Sequence, residues 1–159
     1  MRVAIAEDSG LFRSSLTLLL RSLGNEVTAS VASGDELLAA IRGARPPEVV
    51  ILDIRMPPSF TDEGIRAAHE IRGLYPGTGI LVLSTYAETS YASQLLQAVR
   101  TGVGYLLKDN VTDAGALMES LERVAAGETV IDPAIVRRKT HRSRAGQNLR
   151  YDTADTVAA

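Results

Sequence analysis

Val49-Val50-Ile51-Leu52-Asp53-Ile54-Arg55-Met56-Pro57-Pro58 is a short, β-branched apolar run that ends in a carboxylate and then breaks at two prolines. A strand buried on both faces of a parallel sheet reads this way. Two further runs end in charge: Val3-Ala4-Ile5-Ala6 stops at Glu7-Asp8, and Tyr105-Leu106-Leu107 stops at Lys108. Ligands of open α/β sheets gather just outside the carboxyl ends of the strands. Three carboxylates and one ammonium are therefore expected at a single edge of the sheet, which is the chemistry of a divalent-metal and phosphate site.

Outward from that stretch, apolar runs recur at residues 2–6, 27–31, 49–52, 80–83 and 104–107, with helix-like segments between them. Phe12, Leu16, Leu19, Leu20 and Leu23 share one face of the first helix, and Gly24 is its stop. Ser33-Gly34-Asp35-Glu36 opens the second with the spacing of a capping box. The third runs from about Asp62 to Leu74, before Pro76-Gly77. The fourth aligns Tyr91, Leu95, Leu96 and Val99, and the fifth carries Leu117, Leu121 and Val124 and stops at Gly127. Strands alternating with helices predict an α/β fold with both faces of a parallel sheet covered. The leading architecture is flavodoxin-like: a doubly wound five-stranded parallel sheet with five helices and strand order 2-1-3-4-5.

The 159 residues have room for one domain and a short appendage. With no cysteine, a disulfide framework and a thiolate metal site are both excluded, which fits a reducing cytoplasm. Met1-Arg2 leads into only four apolar residues before Glu7, so no signal peptide is expected, and no apolar stretch has membrane-spanning length. Residues 1–125 carry 11 Lys/Arg against 15 Asp/Glu, and residues 126–159 carry 6 against 4, so a mildly acidic domain precedes a mildly basic tail. The expected organisation is a domain over 1–126, a linker over 127–139, and a disordered basic and polar tail over 140–159. Within the linker, Asp132-Pro133 reads as an N-cap and first helical residue, giving a short helix to about Lys139.

Crowded carboxylates at Glu7, Asp8 and Asp53 would repel one another and raise their pKa values. Mg²⁺ removes that penalty by binding oxygen ligands while keeping several waters. Lys108 adds a fixed positive charge, and Ser84, ending the strand Leu81-Val82-Leu83, offers a hydroxyl to an oxyanion in the same place. This set suits phosphoryl transfer onto a carboxylate, where positioning and charge neutralisation matter most. Any one of these residues alone is an ordinary solvated loop charge. All four positions together with Met56-Pro57 are a specific motif.

These residues resemble the receiver domain of bacterial two-component response regulators, over residues 1 to about 125. Glu7-Asp8 looks like the family's acidic pair, Asp53 like its phosphoacceptor, Ser84 like its switch hydroxyl, Tyr105 like its switch aromatic and Lys108 like its phosphate-binding lysine. The resemblance implies a phosphoacceptor signalling protein rather than an enzyme. A sensor histidine kinase would phosphorylate Asp53, with Mg²⁺ held by Asp8, Asp53 and the Arg55 carbonyl and with Glu7 acting through a water. Ser84 would then move toward the phosphate and Tyr105 would turn inward, reshaping the face built from the fourth helix, last strand and fifth helix. Arg55 and Tyr86 lie where related receivers tune phosphoryl lifetime, and Tyr91 and Tyr105 are candidates for a homodimer face formed on phosphorylation. Val99 is read as core.

Gly104-Tyr105-Leu106-Leu107-Lys108-Asp109 and Ala126-Gly127-Glu128-Thr129-Val130-Ile131-Asp132-Pro133 resemble the subclass with a LuxR-type (NarL/FixJ-like) helix-turn-helix output domain. That subclass continues with apolar periodicity over roughly sixty residues. Only 26 residues follow Pro133 here, without that pattern, so DNA contact is expected only through an output domain that this stretch does not carry.

Other readings compete. One is a stand-alone or degenerate receiver acting by protein–protein contact alone. A haloacid-dehalogenase-type phosphatase would want a second Asp at position 55, where Arg55 stands. A flavin or nucleotide carrier would want a glycine-rich turn after the first strand, yet that turn reads Glu7-Asp8-Ser9-Gly10. Arg137-Arg138-Lys139 with Arg142 and Arg144 could touch nucleic-acid phosphates, but no aromatic or apolar residues interleave with them, which favours a solvated linker.

Overall fold

Side chains alternate across a strand, and in the central strands that alternation divides the interior into two layers. A computed structural model describes residues 1–85, 87–111 and 113–136. Its strands are β1 (Arg2–Ala6), β2 (Glu26–Val31), β3 (Val49–Asp53), β4 (Gly79–Ser84), β5 (Val103–Leu107) and β6 (Thr129–Ile131). The helices are α1 (Gly10–Ser22), α2 (Gly34–Ile41), α3 (Glu63–Leu74), α4 (Thr89–Ala98) and α5 (Ala114–Ala125), with a single 3₁₀ turn at Lys108–Asn110. Ala4, Ala6, Val50, Leu52, Ile80 and Val82 face one layer, with Leu37, Ile41, Ala68, Ile71 and Leu95 of α2, α3 and α4. Their neighbours Val3, Ile5, Val49, Ile51, Leu81 and Leu83 face the other, with Leu16 and Leu20 of α1 and Leu117, Leu121 and Val124 of α5. Val99 is buried in the first layer, as read from the sequence.

The sheet is parallel throughout, in the order β2-β1-β3-β4-β5-β6. The expected order 2-1-3-4-5 is present, and a sixth strand extends it. Residues 129–131, read from sequence as linker, pair with Val103, Gly104 and Tyr105. A three-residue strand is too short to show a period. Leu23, placed on the apolar face of the first helix, is instead exposed, because it follows the last turn of α1 as its C-cap.

Local signals act where they were read. Ser33 caps α2, its hydroxyl accepting the Glu36 N–H at 3.2 Å and donating to the Glu36 carboxylate at 3.0 Å. Gly24 and Gly127 follow α1 and α5 with φ of 90° and 92°, a conformation that favours glycine. Residues 133–136 are helical, and the Asp132 carboxylate accepts the Ala134 N–H at 2.9 Å. The remainder of that helix, to Lys139, and the tail over 140–159 lie outside the described residues.

Candidate functional site

β1, β3 and β5 end at the same edge because the ladders register Ala6 with Leu52, Asp53 with Leu83 and Ser84 with Leu107. Each strand then delivers its charged residue to one place. Glu7, Asp8 and Asp53 offer carboxylate oxygens that all lie within 4.8 Å of one another. Lys108 Nζ stands 2.7 Å from Glu7 Oε1 and 3.4 Å from Asp53 Oδ1. The open cleft above them has a volume of about 420 Å³, and Ser84, Thr85, Arg55 and Phe60 complete its wall.

The supports around these groups fix their positions. Glu7 Oε2 accepts the Ser9 N–H at 3.0 Å, and Asp53 Oδ1 accepts the Ile54 N–H at 2.8 Å. Lys108 Nζ also lies 4.9 Å from the centre of the Phe12 ring, an attraction between cation and π-face. Burial and the neighbouring Glu7 charge push the Asp53 carboxyl up to about 8, a rise that Lys108 offsets only in part. The carboxylate set is thus short of positive charge at neutral pH. A hard divalent cation with oxygen ligands supplies what is lacking, so these residues fit Mg²⁺.

The loop after β3 is held from α3. Gly64 donates its N–H to Ile54 O at 2.8 Å, and a Cβ built at this position would stand 1.9 Å from Asp53 O. The Glu63 carboxylate accepts the N–H groups of Ser59 and Thr61 at 2.8 and 2.9 Å and the Ser59 hydroxyl as well. Burial alone would raise the Glu63 carboxyl, but these donors outweigh it and hold the group at about 2.

Ser84 ends β4, is buried, and lies beside Tyr105 on the same face of the sheet, where it works against the upward push that burial gives the Tyr105 hydroxyl. Tyr105 is fully buried, so of the two tyrosines expected on a homodimer face only Tyr91 reaches the surface. Arg55 reaches sideways rather than into the acidic cluster: its Nη2 pairs with Glu88 Oε1 at 2.8 Å, and its guanidinium carbon lies 5.6 Å from the Tyr91 ring centre. Tyr91 is half-buried. Tyr86 lies outside the described residues, as do Arg137, Arg138, Lys139, Arg142 and Arg144.

Sequence reading did not single out Glu63 as a loop organiser, Glu88 as the partner of Arg55 or Phe12 as the cover of Lys108. Only Glu63 carried a signal, an acid at the start of a helix following a polar loop. Glu88 meets Arg55 across 33 positions of chain, which no local pattern encodes.

Residues 3–122 match the model of the response regulator receiver domain family. The chain is 33% identical over 134 residues to the oxygen regulatory protein NreC of Staphylococcus haemolyticus, covering 83% of this chain and 58% of that protein. It is similar to a DNA-binding response regulator of the LuxR family from Staphylococcus aureus, with a TM-score of 0.64 and 26% identity, covering 78% of this chain and 98% of that one. The isolated receiver domain of RcsB from Salmonella enterica serovar Typhimurium shares the fold, with a TM-score of 0.71 at 21% identity, covering 86% and 96% of the two chains. The chain spans 56% to 69% of the length of the curated relatives it matches.

Proposed function

Because the chain belongs to the response regulator receiver family, a family of two-component signalling domains, we propose that it accepts a phosphoryl group on Asp53 from the phosphohistidine of a sensor kinase. The observation that carries this reading is Lys108 Nζ standing 2.7 Å from Glu7 and 3.4 Å from Asp53, beside three clustered carboxylates. In the transfer an Asp53 carboxylate oxygen forms the new bond to phosphorus. The phosphorus–nitrogen bond of the donor breaks, and its electron pair stays on the departing imidazole. Bound Mg²⁺ supplies charge neutralisation for the carboxylates and the incoming phosphoryl oxygens. Glu7, Asp8, Asp53 and the Arg55 carbonyl would hold it. Lys108 receives one phosphoryl oxygen from the side of β5, and the Ser84 hydroxyl donates to another.

The adjacency of Ser84 and Tyr105 on neighbouring strands supports a route outward, from the cleft to the face formed by α4, β5 and α5. On that face the half-buried Tyr91 would take part in a homodimer formed on phosphorylation, with Tyr105 packed beneath it rather than at the contact. DNA binding and transcriptional control would follow only through an output domain of the kind the longer LuxR-type relatives carry.

Intact mass after incubation with acetyl phosphate and Mg²⁺ tests the reading, with Asp53→Asn beside the native chain. One phosphoryl adduct that requires both Mg²⁺ and Asp53 is the expected result. A native chain that takes no label under conditions that label another receiver would leave a phosphorylation-independent, protein-binding domain. Arg55→Ala removes the tie to Glu88 and is expected to change the decay rate of the adduct by about two- to fivefold, the scale of a half-exposed ion pair. Labelling itself should persist, and its loss in that variant would assign Arg55 a different role.

A further inference from the structure

Asp132 lies outside the acidic cleft and none of the chemistry above uses it, yet it is among the most buried charged residues described, at 1% exposure. Its main-chain N–H donates to Tyr105 O at 2.8 Å, continuing the ladder between β5 and β6. A parallel ladder would next carry the Leu107 N–H onto the main-chain carbonyl of Asp132. That carbonyl instead receives the N–H groups of Ile135 and Val136 at 2.9 and 3.3 Å, and the side chain takes over its place in the ladder. Asp132 Oδ2 accepts the Leu107 N–H at 3.0 Å and Asn110 Nδ2 at 2.7 Å. Oδ1 accepts the Ala134 N–H at 2.9 Å.

One carboxylate thus grips both ends of the turn that presents Lys108, from the residue before it to the residue two beyond it. Starting a helix does not require this, since an exposed serine caps as well. Burying a carboxylate is costly unless donors surround it, and here three do. The geometry points to Asp132 as a positioning residue for Lys108, setting where the ammonium stands relative to Glu7 and Asp53. The inference rests on the receiver reading for the role of Lys108. The same carboxylate caps residues 133–136, so it ties the Lys108 turn to the short helix that follows β6.

Asp132→Ser separates the two duties: serine still caps Ala134 but is too short to reach Leu107 and Asn110. Labelling rate from acetyl phosphate is measured by intact mass across a Mg²⁺ series on the native chain, Asp132→Ser, Asp132→Asn and Asn110→Ala. Amide exchange over residues 107–111 is followed on the same samples. The expected result for Asp132→Ser is a rate at saturating Mg²⁺ lowered about tenfold, the scale of a lost hydrogen bond to a charged group. Its Mg²⁺ midpoint should stay within about twofold of native, because Lys108 holds no metal, and the turn should lose exchange protection. Asp132→Asn, which retains an acceptor for Leu107, should recover part of the rate. A native rate in Asp132→Ser, or a loss matched by an equal weakening of Mg²⁺, overturns the inference. Should Asp132→Ser fail to unfold cooperatively, the exposed Asn110→Ala decides, and an unchanged rate and unchanged turn protection there overturn it. A native chain without any label sinks the receiver reading instead, and turn protection unchanged in Asp132→Ser then separately sinks the positioning role.

Discussion

Gly64→Ala is expected to lose about 3 kcal/mol or more of stability and most of its capacity to label Asp53. The added methyl would stand 1.9 Å from the carbonyl oxygen of Asp53 and 2.8 Å from Ile54 Cα, both main-chain atoms that cannot rotate away. Relief requires α3 to retreat from the end of β3. That retreat breaks the Gly64-to-Ile54 hydrogen bond and tilts the Asp53 carboxylate away from Lys108. For a domain of this size the loss corresponds to a fall in melting temperature of roughly 6–12 °C. Thermal unfolding followed by circular dichroism, with labelling measured well below the transition, checks both parts. A variant that melts within a degree or two of native would mean that the helix and strand separate freely.

Lys108→Met carries the second large effect. Removing the ammonium leaves Glu7 and Asp53 buried side by side without their cation, the situation in which a broken buried pair costs most. Labelling at saturating Mg²⁺ should slow about a hundredfold, as when one preorganised electrostatic partner is removed from a transition state. The metal-free stability profile should change as well. Asp53 titrates near 8 in the fold against 3.8 in the free group, so the unfolded chain releases that proton first. Stability of the native chain without Mg²⁺ is therefore greatest below about pH 4 with respect to this group and declines as pH rises toward about 8. Loss of Lys108 removes the cation that lowers this pKa, so the decline should extend to higher pH, and Mg²⁺ should reverse it in both chains. Urea midpoints at about pH 5 and about pH 8, with and without Mg²⁺, measure the difference. Midpoints that ignore both pH and Mg²⁺ would contradict the charge balance drawn for the cleft.

The strands and the charges at their ends were legible because buried parallel strands write themselves as uninterrupted apolar runs. Glu7, Asp53 and Lys108 are simply the residues at which those runs stop. Ser84 and Tyr105 were legible from the same strands, and their adjacency follows from Val82 pairing with Tyr105 and Ser84 with Leu107. Contacts between loops left no such trace. Arg55 meets Glu88 and Tyr91 only because the turns after β3 and β4 leave the sheet side by side, and nothing in either stretch specifies the other. Asp132 was readable as a helix cap, since capping is local. Its grip on Leu107 and Asn110 depends on β6, a strand of three residues that no period announces.

β6 also changes the edge that the sheet presents to other chains. Were β5 the last strand, it would present a flat edge of five apolar residues, Val103–Leu107, with unpaired main-chain groups, a template for association with another chain. β6 replaces it with an edge of three residues, interrupted at Pro133, which has no N–H to offer. At the other edge β2 alternates half-buried and exposed positions and begins at Glu26. A sheet so terminated offers another chain little template for pairing at either edge of the described strands.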